Sequence, residues 1–419
     1  MSKKLIHIPI FFLFLTALTG VWMRSISLMP NIPSLPYDHI LHGHSHIAIL
    51  GWMFFAVLII YMAIIWRYLP SKKQAKSLLT LSTIVTLFML LAFLYEGYAL
   101  YSIILSTLHI VTEYWAILFI FTTIKLHPAF SEVSRLFIKT GAIMLFISSF
   151  GPFGLGAIAS TGLKDSPLFE MAIYFYLHFQ YNGWLYYLLV GFFIYFFEAA
   201  SIRLNKSLLK GSFLIYTVAL FPGFLLSILW YELGQIGYLF AVLGAGGQFI
   251  GVSLFIYVLW QIRKETLHAF ESSFLYVTLF SVSILLVKAM MELGLIIPQL
   301  ADLVYDTRHV VVAYLHLTLL GFISFALFAC FIQLKLVPVH KQLFQFGLYT
   351  FMIGFCLNEL ILFSSTLFEW FNLGHFPLHN SLLFIASILM LMSIIFIWYT
   401  IFYSKEVKLA QIYYKKRKA

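Results

Sequence analysis

Charge is scarce in this 419-residue chain, since Asp, Glu, Lys and Arg together make up only 10% of it. A soluble globular domain carries about 25% charged residues, which it needs to cover its surface. In place of charge, the chain has 62% hydrophobic residues, 19% aromatic residues and a mean hydropathy of +0.96. The composition therefore excludes an ordinary soluble protein and predicts a membrane protein.

Several motifs are also missing, and each absence excludes a class of chemistry. The two cysteines, Cys330 and Cys356, both fall in apolar stretches, which excludes a disulfide framework and a Cys-x-x-Cys-His site for covalent haem. No phosphate-binding Gly-rich loop and no Ser-His-Asp order is present. Gly244-Ala245-Gly246-Gly247 is better explained by small residues that allow two helices to approach closely.

Apolar stretches of about 20 residues, enough to cross a bilayer as helices, occur twelve times. They are 5–23, 42–66, 78–98, 104–124, 137–159, 172–197, 212–230, 235–260, 272–296, 309–336, 343–367 and 380–403. No linker or loop of soluble-domain size interrupts them. The sequence therefore predicts an all-α polytopic membrane protein that forms a single membrane domain over residues 1–419.

The basic residues predict the topology. Most Lys and Arg residues fall at the two ends and in alternate loops, which by the positive-inside rule places both termini in the cytoplasm and the chain in the cell (inner) membrane. The net charge of +10 then reflects this loop bias and predicts no nucleic-acid partner. We expect the basic tail 404–419, with Lys415 to Lys418, to contact lipid headgroups. Residues 5–23 are retained as the first span because no small-residue cleavage site precedes Arg24.

One short phrase occurs three times, each time inside an apolar stretch. A histidine stands five residues before a glycine and an aromatic residue in His46 to Trp52, in His178 to Trp184 and in His316 to Phe322. These phrases lie on predicted spans 2, 6 and 10 and divide the chain into repeats of approximately 1–130, 131–268 and 269–403. Each repeat supplies four helices, which predicts three pseudo-symmetric four-helix arcs. Because a histidine inside a membrane is costly, the repetition indicates ligand-bearing helices.

Helical phase separates the histidines of spans 2 and 10. At 100° per residue, His39, His42 and His46 share one stripe of span 2, while His44 points nearly opposite. On span 10, His309 and His316 share a stripe and Tyr314 lies on the other side. Two imidazoles at matched depth can supply both axial bonds to a haem iron. The alternative is that each histidine merely hydrogen-bonds a neighbouring carbonyl or lines a polar cavity.

Haem propionates require nearby cations, and few basic residues are expected at the outer ends of these spans. The candidates at that depth are Arg24, Arg308 and Lys288.

The plan of twelve spans with histidines on spans 2, 6 and 10 resembles subunit I of the haem-copper oxidases and their nitric oxide reductase relatives. The stretch from Val311 to Gly321 resembles the span-10 phrase of that family, and His178 to Gly183 resembles the span-6 phrase of the reductases. The resemblance implies that His316 and a span-2 histidine, best matched by His46, are axial ligands of a low-spin b-type haem. It also implies that His178 is a ligand of a second metal.

Three departures from the family concern that second centre. Tyr314 stands where the family keeps its high-spin haem ligand, Asn182 replaces the reductase glutamate, and span 7 (211–230) lacks the adjacent His-His pair. A second haem on the Tyr314 phenolate, or a copper, iron or zinc ion held by His178 with His44 and His309, therefore remains open. His42 and His44 also remain alternatives to His46 as the span-2 haem ligand. The alternative for Tyr314 is a tyrosine that faces lipid or hydrogen-bonds another helix.

Acidic residues within the spans suggest two different roles. Glu96, Glu232 and Glu359, one in each third of the chain, could pass protons across the membrane. Lys288 with Glu292 and His109 with Glu113 are four residues apart, which predicts that each pair neutralises itself on one helix.

The resemblance implies a membrane redox protein. It would be an oxidoreductase of the terminal oxidase or nitric oxide reductase kind, or an electron-transfer protein that keeps the low-spin haem alone. The outer loops are too short for a cytochrome domain, so we expect quinol or a separate cytochrome as the electron donor. Two other classes remain open: a haem or metal carrier, sensor or transporter, and a scaffold without cofactors. The substrate is not predicted by the sequence.

Overall fold

The computed structural model describes residues 3–29, 34–128 and 130–404. Within these ranges the chain is built of helices joined by short connections and contains no β-strand. The prediction of an all-α polytopic membrane protein is therefore confirmed.

Twelve long helices run through the described ranges, and we number them in chain order. They are α1 (Lys4–Leu28), α2 (Tyr37–Ile65), α3 (Lys72–Glu96), α4 (Leu100–Leu126), α5 (Glu132–Ser160), α6 (167–199), α7 (Lys206–Ile228), α8 (Gly234–Gln261), α9 (Ser272–Gly294), α10 (Arg308–Gln333), α11 (Gln342–Trp370) and α12 (His379–Tyr403). Two short helices, Arg263–Ala269 and Pro298–Asp306, lie between them. Each predicted span corresponds to one of the twelve.

Eleven of these helices are long and apolar enough to cross a membrane, and α6 falls outside that set. It consists of the α-helix Pro167–His178, the π-helix Phe179–Leu185 and the α-helix Tyr186–Ala199. Polar residues in its middle, among them Gln180 and Asn182, lower its mean hydropathy, although both side chains are buried. The least apolar long helix is therefore one that carries a histidine phrase.

Side chains define the starts of several helices. Ser71, Ser131 and Asn205 accept hydrogen bonds from backbone N–H groups three residues further on, at the starts of α3, α5 and α7. Such caps satisfy donors that have no partner within the helix. Large apolar side chains such as Leu91, Val218 and Leu243 are exposed along the helices, as expected of a chain that contacts lipid.

The chain divides into two compact units. Unit 1 comprises Met1–Phe119 and Leu327–Ala419. In its described part, the Phe12 ring on α1 stacks on Phe55 of α2 with centroids 5.0 Å apart. Trp398 Nε1 on α12 donates to His7 Nδ1 on α1 over 2.9 Å. The core of unit 1 includes the fully buried residues 54–57 of α2.

Unit 2 comprises Ile120–Ala326. Ser134 Oγ on α5 donates to the Gly191 carbonyl of α6 over 2.9 Å, and Ser212 Oγ on α7 donates to the Gly251 carbonyl of α8 over 2.7 Å. A side chain on Gly244 would collide with the backbone of α7 at Gly223. The prediction that the glycines around Gly244 allow close helix contact is confirmed.

Two predictions about organisation stay predictions. The division into repeats of 1–130, 131–268 and 269–403 follows the histidine phrases, which do lie on the second, sixth and tenth long helices. The tail beyond Ser404, including Lys415 to Lys418, lies outside the described residues.

Candidate functional site

Each histidine phrase coincides with a π-helix, in which the backbone hydrogen bonds span five residues. The π-helices are Ile47–Met53 after His46, Phe179–Leu185 after His178, and His316–Ile323. Single-turn π segments inside α-helices are rare and are frequent at functional sites. We call the three segments His46–Met53, His178–Leu185 and His316–Ile323 the first, second and third histidine repeats. The sequence repeat is therefore also a repeat of backbone structure.

A carbonyl in each histidine repeat accepts a hydrogen bond from a side chain on another helix. His109 Nε2 on α4 donates to Leu50 O over 3.2 Å, Tyr216 OH on α7 donates to Asn182 O over 3.0 Å, and Ser281 Oγ on α9 donates to Phe322 O over 2.8 Å. Buried carbonyls require such partners. A side chain on a neighbouring helix therefore satisfies one backbone carbonyl of each π-helix.

The glycine of the repeat is required where a neighbour comes close. A Cβ on Gly51 would lie 2.8 Å from the Phe12 ring, and a Cβ on Gly183 would lie 2.9 Å from Met144 Cβ. Both distances are shorter than two nonbonded carbon atoms can approach without a shift. In the first and second repeats, the spacing from histidine to glycine thus places a close contact about one turn beyond the ring.

His46, in the first repeat, lies in unit 1. Its Nδ1 donates to the His42 carbonyl over 2.9 Å, four residues earlier on α2. Its ring packs 4.3 Å from the Phe93 ring, between centroids, with Tyr98 further away at 6.3 Å. Because a carbonyl can only accept, the proton of the neutral ring is on Nδ1 and its lone pair is on Nε2.

The other span-2 histidines lie where helical phase predicts. His42 contacts the same Phe93 and Tyr98 rings as His46, whereas His44 points toward α1 and its Nδ1 donates to Thr16 O over 3.0 Å. His39 Nδ1 donates to the Leu94 carbonyl of α3 over 3.2 Å.

His316, in the third repeat, lies in unit 2 and has the same local geometry as His46. Its Nδ1 donates over 2.8 Å to the Val312 carbonyl, again four residues earlier on the same helix. The lone pair of the neutral ring is therefore on Nε2 here too. His309 lies in the first turn of α10, and Tyr314 points elsewhere, since its hydroxyl donates to Glu292 over 2.6 Å. Tyr314 is thus an interhelical hydrogen-bonded tyrosine.

His178, in the second repeat, is bonded differently. Its Nε2 donates over 2.8 Å to the Leu220 carbonyl on α7, so the proton of the neutral ring is on Nε2. Its Nδ1 lies 3.3 Å from Asn182 Nδ2, which donates to it. Both ring nitrogens therefore have protein partners, and the tautomer is opposite to that of His46 and His316.

Asn182 links His178 to a buried lysine. Lys288 Nζ donates to Asn182 Oδ1 over 2.6 Å and to Glu292 Oε1 over 2.8 Å. Glu292 Oε1 also accepts from Asn182 Nδ2 over 3.2 Å and from Tyr314. We call His178, Asn182, Lys288, Glu292 and Tyr314 the Lys288 network. The predicted pairing of Lys288 with Glu292 is confirmed.

Most of the Lys288 network is buried away from the protein surface. His178, Asn182 and Lys288 are 1%, 2% and 3% exposed, while Glu292 and Tyr314 are half-buried. The Tyr181 and Tyr314 rings each have their centroid 5.7 Å from Lys288 Nζ. A buried charge is stable only when it is paired and hydrogen-bonded, and this lysine is both.

A second buried ionisable pair lies in unit 1. His109 Nδ1 is 3.2 Å from Glu113 Oε1, as the sequence spacing predicts, and both side chains are almost fully buried. Since Nε2 of the ring donates to Leu50 O, the contact at Nδ1 needs one further proton, on the ring or on the carboxyl group. The pair therefore holds one shared proton and is neutral overall.

The residues predicted to relay protons lie in different settings. Glu96 accepts from the Ser102 backbone N–H over 2.8 Å at the start of α4, and Glu359 is half-buried beside Asn358. Glu232 is exposed in the connection between α7 and α8, so its expected place inside a span is wrong. That connection runs from Leu229 to Leu233, and Glu232 lies two residues beyond the apolar run 212–230.

Of the three predicted propionate partners, Arg24 and Arg308 are at helix ends, whereas Lys288 is buried within α9. Arg24 is half-buried in the last turns of α1, and Arg308 is exposed at the start of α10.

Within residues 3–29, 34–128 and 130–404, no three His, Cys, Asp or Glu side chains form a group that could hold a metal ion. No protein-family model matches the chain, and no curated protein matches it. The fold and composition define the class of an all-α, multi-pass membrane protein.

Sequence reasoning missed the π-helices and the extent of the Lys288 network. The signal for the π-helices was the histidine phrase itself, which has the same length in all three places. The signal for the network was the accumulation of polar residues in the middle of α6, opposite an intramembrane lysine.

Proposed function

We propose that this chain is a haem-binding membrane redox protein with a low-spin b-type haem whose axial ligands are His46 and His316. In this proposal the binuclear centre of the haem-copper oxidases is degenerate or altered. Its function would then be electron transfer, or an oxidoreductase reaction of the oxidase or nitric oxide reductase kind.

The observation that carries the proposal is the shared geometry of two of the three repeated histidines. His46 and His316 each donate from Nδ1 to the carbonyl four residues earlier, whereas His178 does not. Histidines that ligate metals through Nε2 almost always donate the other ring N–H to a carbonyl, a carboxylate or water, which fixes the tautomer and orients the ring. The residues present therefore fit the axial ligands of a haem.

The proposed ligand identities rest on the chemistry of imidazole and on the sequence repeat. Neutral imidazoles are ordinary axial ligands of b-type haem, and a bis-histidine haem supplies one-electron transfer when bound. In this proposal Arg24 and Arg308 neutralise the propionates, as cations at the ends of α1 and α10. Phe93, packed on the His46 ring, restricts that ring to one orientation.

The proposed setting is the cell (inner) membrane with both termini in the cytoplasm. The basic residues of the loops support this orientation through the positive-inside rule. Quinol in the bilayer or a separate cytochrome would supply the electrons.

A second candidate function is a haem or metal carrier, sensor or transporter. The observation that favours it is the stripe formed by His42 and His46, which contact the same two aromatic rings along α2. Neighbouring imidazoles along a helix can bind a haem or a metal ion at successive positions. In this case haem would bind weakly and exchange.

A reduced-minus-oxidised optical spectrum of the purified chain tests the proposal, together with electron paramagnetic resonance of the oxidised form. We expect a tightly bound low-spin haem that is lost in His46→Ala and in His316→Ala, with partial recovery on adding imidazole. His44→Ala is the matched control, because it removes a ring from the same helix that faces α1, and it should retain the spectrum.

A preparation that carries no pigment and takes up added haem weakly and reversibly would support the carrier. Full retention of the low-spin spectrum in both His46→Ala and His316→Ala would contradict the proposed ligands.

A further inference from the structure

The Lys288 network has the arrangement of a small cation site with an ammonium group at its centre. Lys288 Nζ is bonded to two oxygens, Asn182 Oδ1 at 2.6 Å and Glu292 Oε1 at 2.8 Å. His178 Nδ1 joins the same cluster through the Asn182 amide, and the Tyr314 hydroxyl joins it through Glu292. A carboxylate, an amide oxygen, an imidazole and a phenol are the side-chain donors that divalent metal ions take in proteins.

The hydrogen bonds of this network leave one consistent assignment of protons. Lys288 donates to Asn182 Oδ1, so the Asn182 amide nitrogen faces the other way and donates to His178 Nδ1 and to Glu292. His178 then donates from Nε2 to Leu220 O. The Lys288 ammonium therefore fixes the orientation of the Asn182 amide, and the amide in turn fixes which nitrogen of His178 accepts and which donates.

Charge is balanced within the network. The positive charge of Lys288 meets the negative charge of Glu292, and Glu292 Oε1 also receives hydrogen bonds from Asn182 and Tyr314. A divalent ion added beside the ammonium would bring two like-signed charges together in a poorly solvated place, which is strongly unfavourable. A metal ion and the Lys288 ammonium therefore exclude each other here.

We propose that the Lys288 ammonium is a built-in cation that occupies the place of a metal ion among His178, Asn182, Glu292 and Tyr314. Unit 2 then holds no metal on His178 while Lys288 is present, and the second metal that the family resemblance implies at this histidine does not fit. The inference depends on contacts within unit 2 and is independent of the haem proposed at His46 and His316.

The test is a titration with Co²⁺, whose visible absorption reports coordination by nitrogen and oxygen ligands, on protein purified without a histidine tag. The wild type should bind no Co²⁺ in a way that depends on His178. Lys288→Ala removes the cation and opens space beside the carboxylate, and we expect it to bind about one equivalent of Co²⁺. Bound Co²⁺ should also raise the melting temperature of Lys288→Ala and leave that of the wild type unchanged.

Two variants control this experiment. Lys210→Ala breaks the exposed pair of Lys210 and Glu132, whose Nζ and Oε1 are 3.0 Å apart, and it should bind no more Co²⁺ than the wild type. Lys288→Ala/Glu292→Gln lacks the carboxylate ligand and should lose the Co²⁺ bound by Lys288→Ala. If Lys288→Ala does not accumulate in the membrane, Lys288→Ser replaces it, because its hydroxyl can bond Glu292 and still leaves room for an ion.

Stoichiometric Co²⁺ binding by the wild type that disappears in His178→Ala would overturn the proposal. So would a folded Lys288→Ala or Lys288→Ser protein that binds no more Co²⁺ than Lys210→Ala. The presence or loss of haem in any of these variants affects neither outcome, so the failure of this inference and the failure of the proposed function are distinguishable.

Discussion

The first and third histidine repeats differ from the second in the direction in which the ring is held. His46 and His316 turn Nδ1 toward a carbonyl of their own helix, whereas His178 turns Nε2 toward a carbonyl of α7. The three phrases share their length, their glycine and their π-helix. Identical placement along the chain therefore does not give identical chemistry, because the hydrogen bond of one ring nitrogen decides what the other nitrogen can do.

One sequence position differs among the repeats in the same way as the ring orientation. The residue four after the histidine is Leu50 in the first repeat, Leu320 in the third and Asn182 in the second. A leucine side chain cannot donate to the ring, whereas the Asn182 amide does so at Nδ1 and holds the opposite tautomer. The same amide receives a hydrogen bond from Lys288, so this one residue joins the second repeat to the Lys288 network.

The largest effect in this comparison should come from breaking the ion pair that the second repeat alone contacts. Glu292→Ala leaves the Lys288 ammonium buried without its carboxylate, which typically costs about 3–5 kcal/mol. Thermal unfolding in detergent measures the loss. Glu132→Ala, which breaks the exposed pair with Lys210, should cost less than about 1 kcal/mol. An equal loss of stability in the two variants would show that burial does not determine how much the Lys288–Glu292 pair stabilises the fold.

An intermediate effect should follow from making the second repeat match the others. Asn182→Leu removes the donor to His178 Nδ1 and one acceptor of Lys288, and leaving buried polar groups unsatisfied costs about 1–3 kcal/mol each. Nitrogen NMR of labelled histidine should show that the His178 ring no longer keeps its proton on Nε2 alone. Leu50→Met, an apolar change at the equivalent position, is the control. An unchanged His178 tautomer in Asn182→Leu would mean that Leu220 alone fixes the ring.

The smallest effect should come from adding a methyl group at the shared glycine. Gly51→Ala presses on the Phe12 ring, which stacks on Phe55, and overpacking of this kind costs about 1–3 kcal/mol. A Cβ on Gly183 would have one atom within 3.0 Å, Met144 Cβ at 2.9 Å, with Met144 Cγ at 3.4 Å. A Cβ on Gly51 would meet three Phe12 atoms at 2.8, 3.0 and 3.1 Å, so Gly183→Ala should cost less than Gly51→Ala. Comparing the two melting temperatures checks this order. A greater loss in Gly183→Ala would place the tighter packing in the second repeat.

The twelve helices could be predicted because apolar length is a local property of the sequence. Most of the predicted spans end within a few residues of α1 to α12, and the differences arise where a helix continues past its apolar stretch. Lys72 to Ser77, for example, are the mostly polar first six residues of α3, which Ser71 caps. Pairs on one helix, such as Lys288 with Glu292, were equally predictable because spacing alone brings them together.

Contacts between distant helices could not be predicted in the same way. Asn182 and Lys288 are 106 residues apart in sequence, and their hydrogen bond depends on how α6 and α9 pack. Tyr314 was assigned to a face of α10 by helical phase, but its acceptor, Glu292, lies on α9. The error at Glu232 has a related origin, because an acid just beyond an apolar run resembles one inside it until the end of the helix is known.

The π-helices also change which residues lie on each face of α2, α6 and α10. A backbone bond that reaches one residue further than in an α-helix adds a residue to the turn and rotates everything beyond it by roughly 100°. A helical wheel drawn through Ile47–Met53 would therefore assign Phe54 and its successors to the wrong side of α2. The π-helix thus separates two parts of each helix, and the face presented near the histidine does not fix the face presented after the π-helix. Substitutions in the later part need not reorient the imidazole.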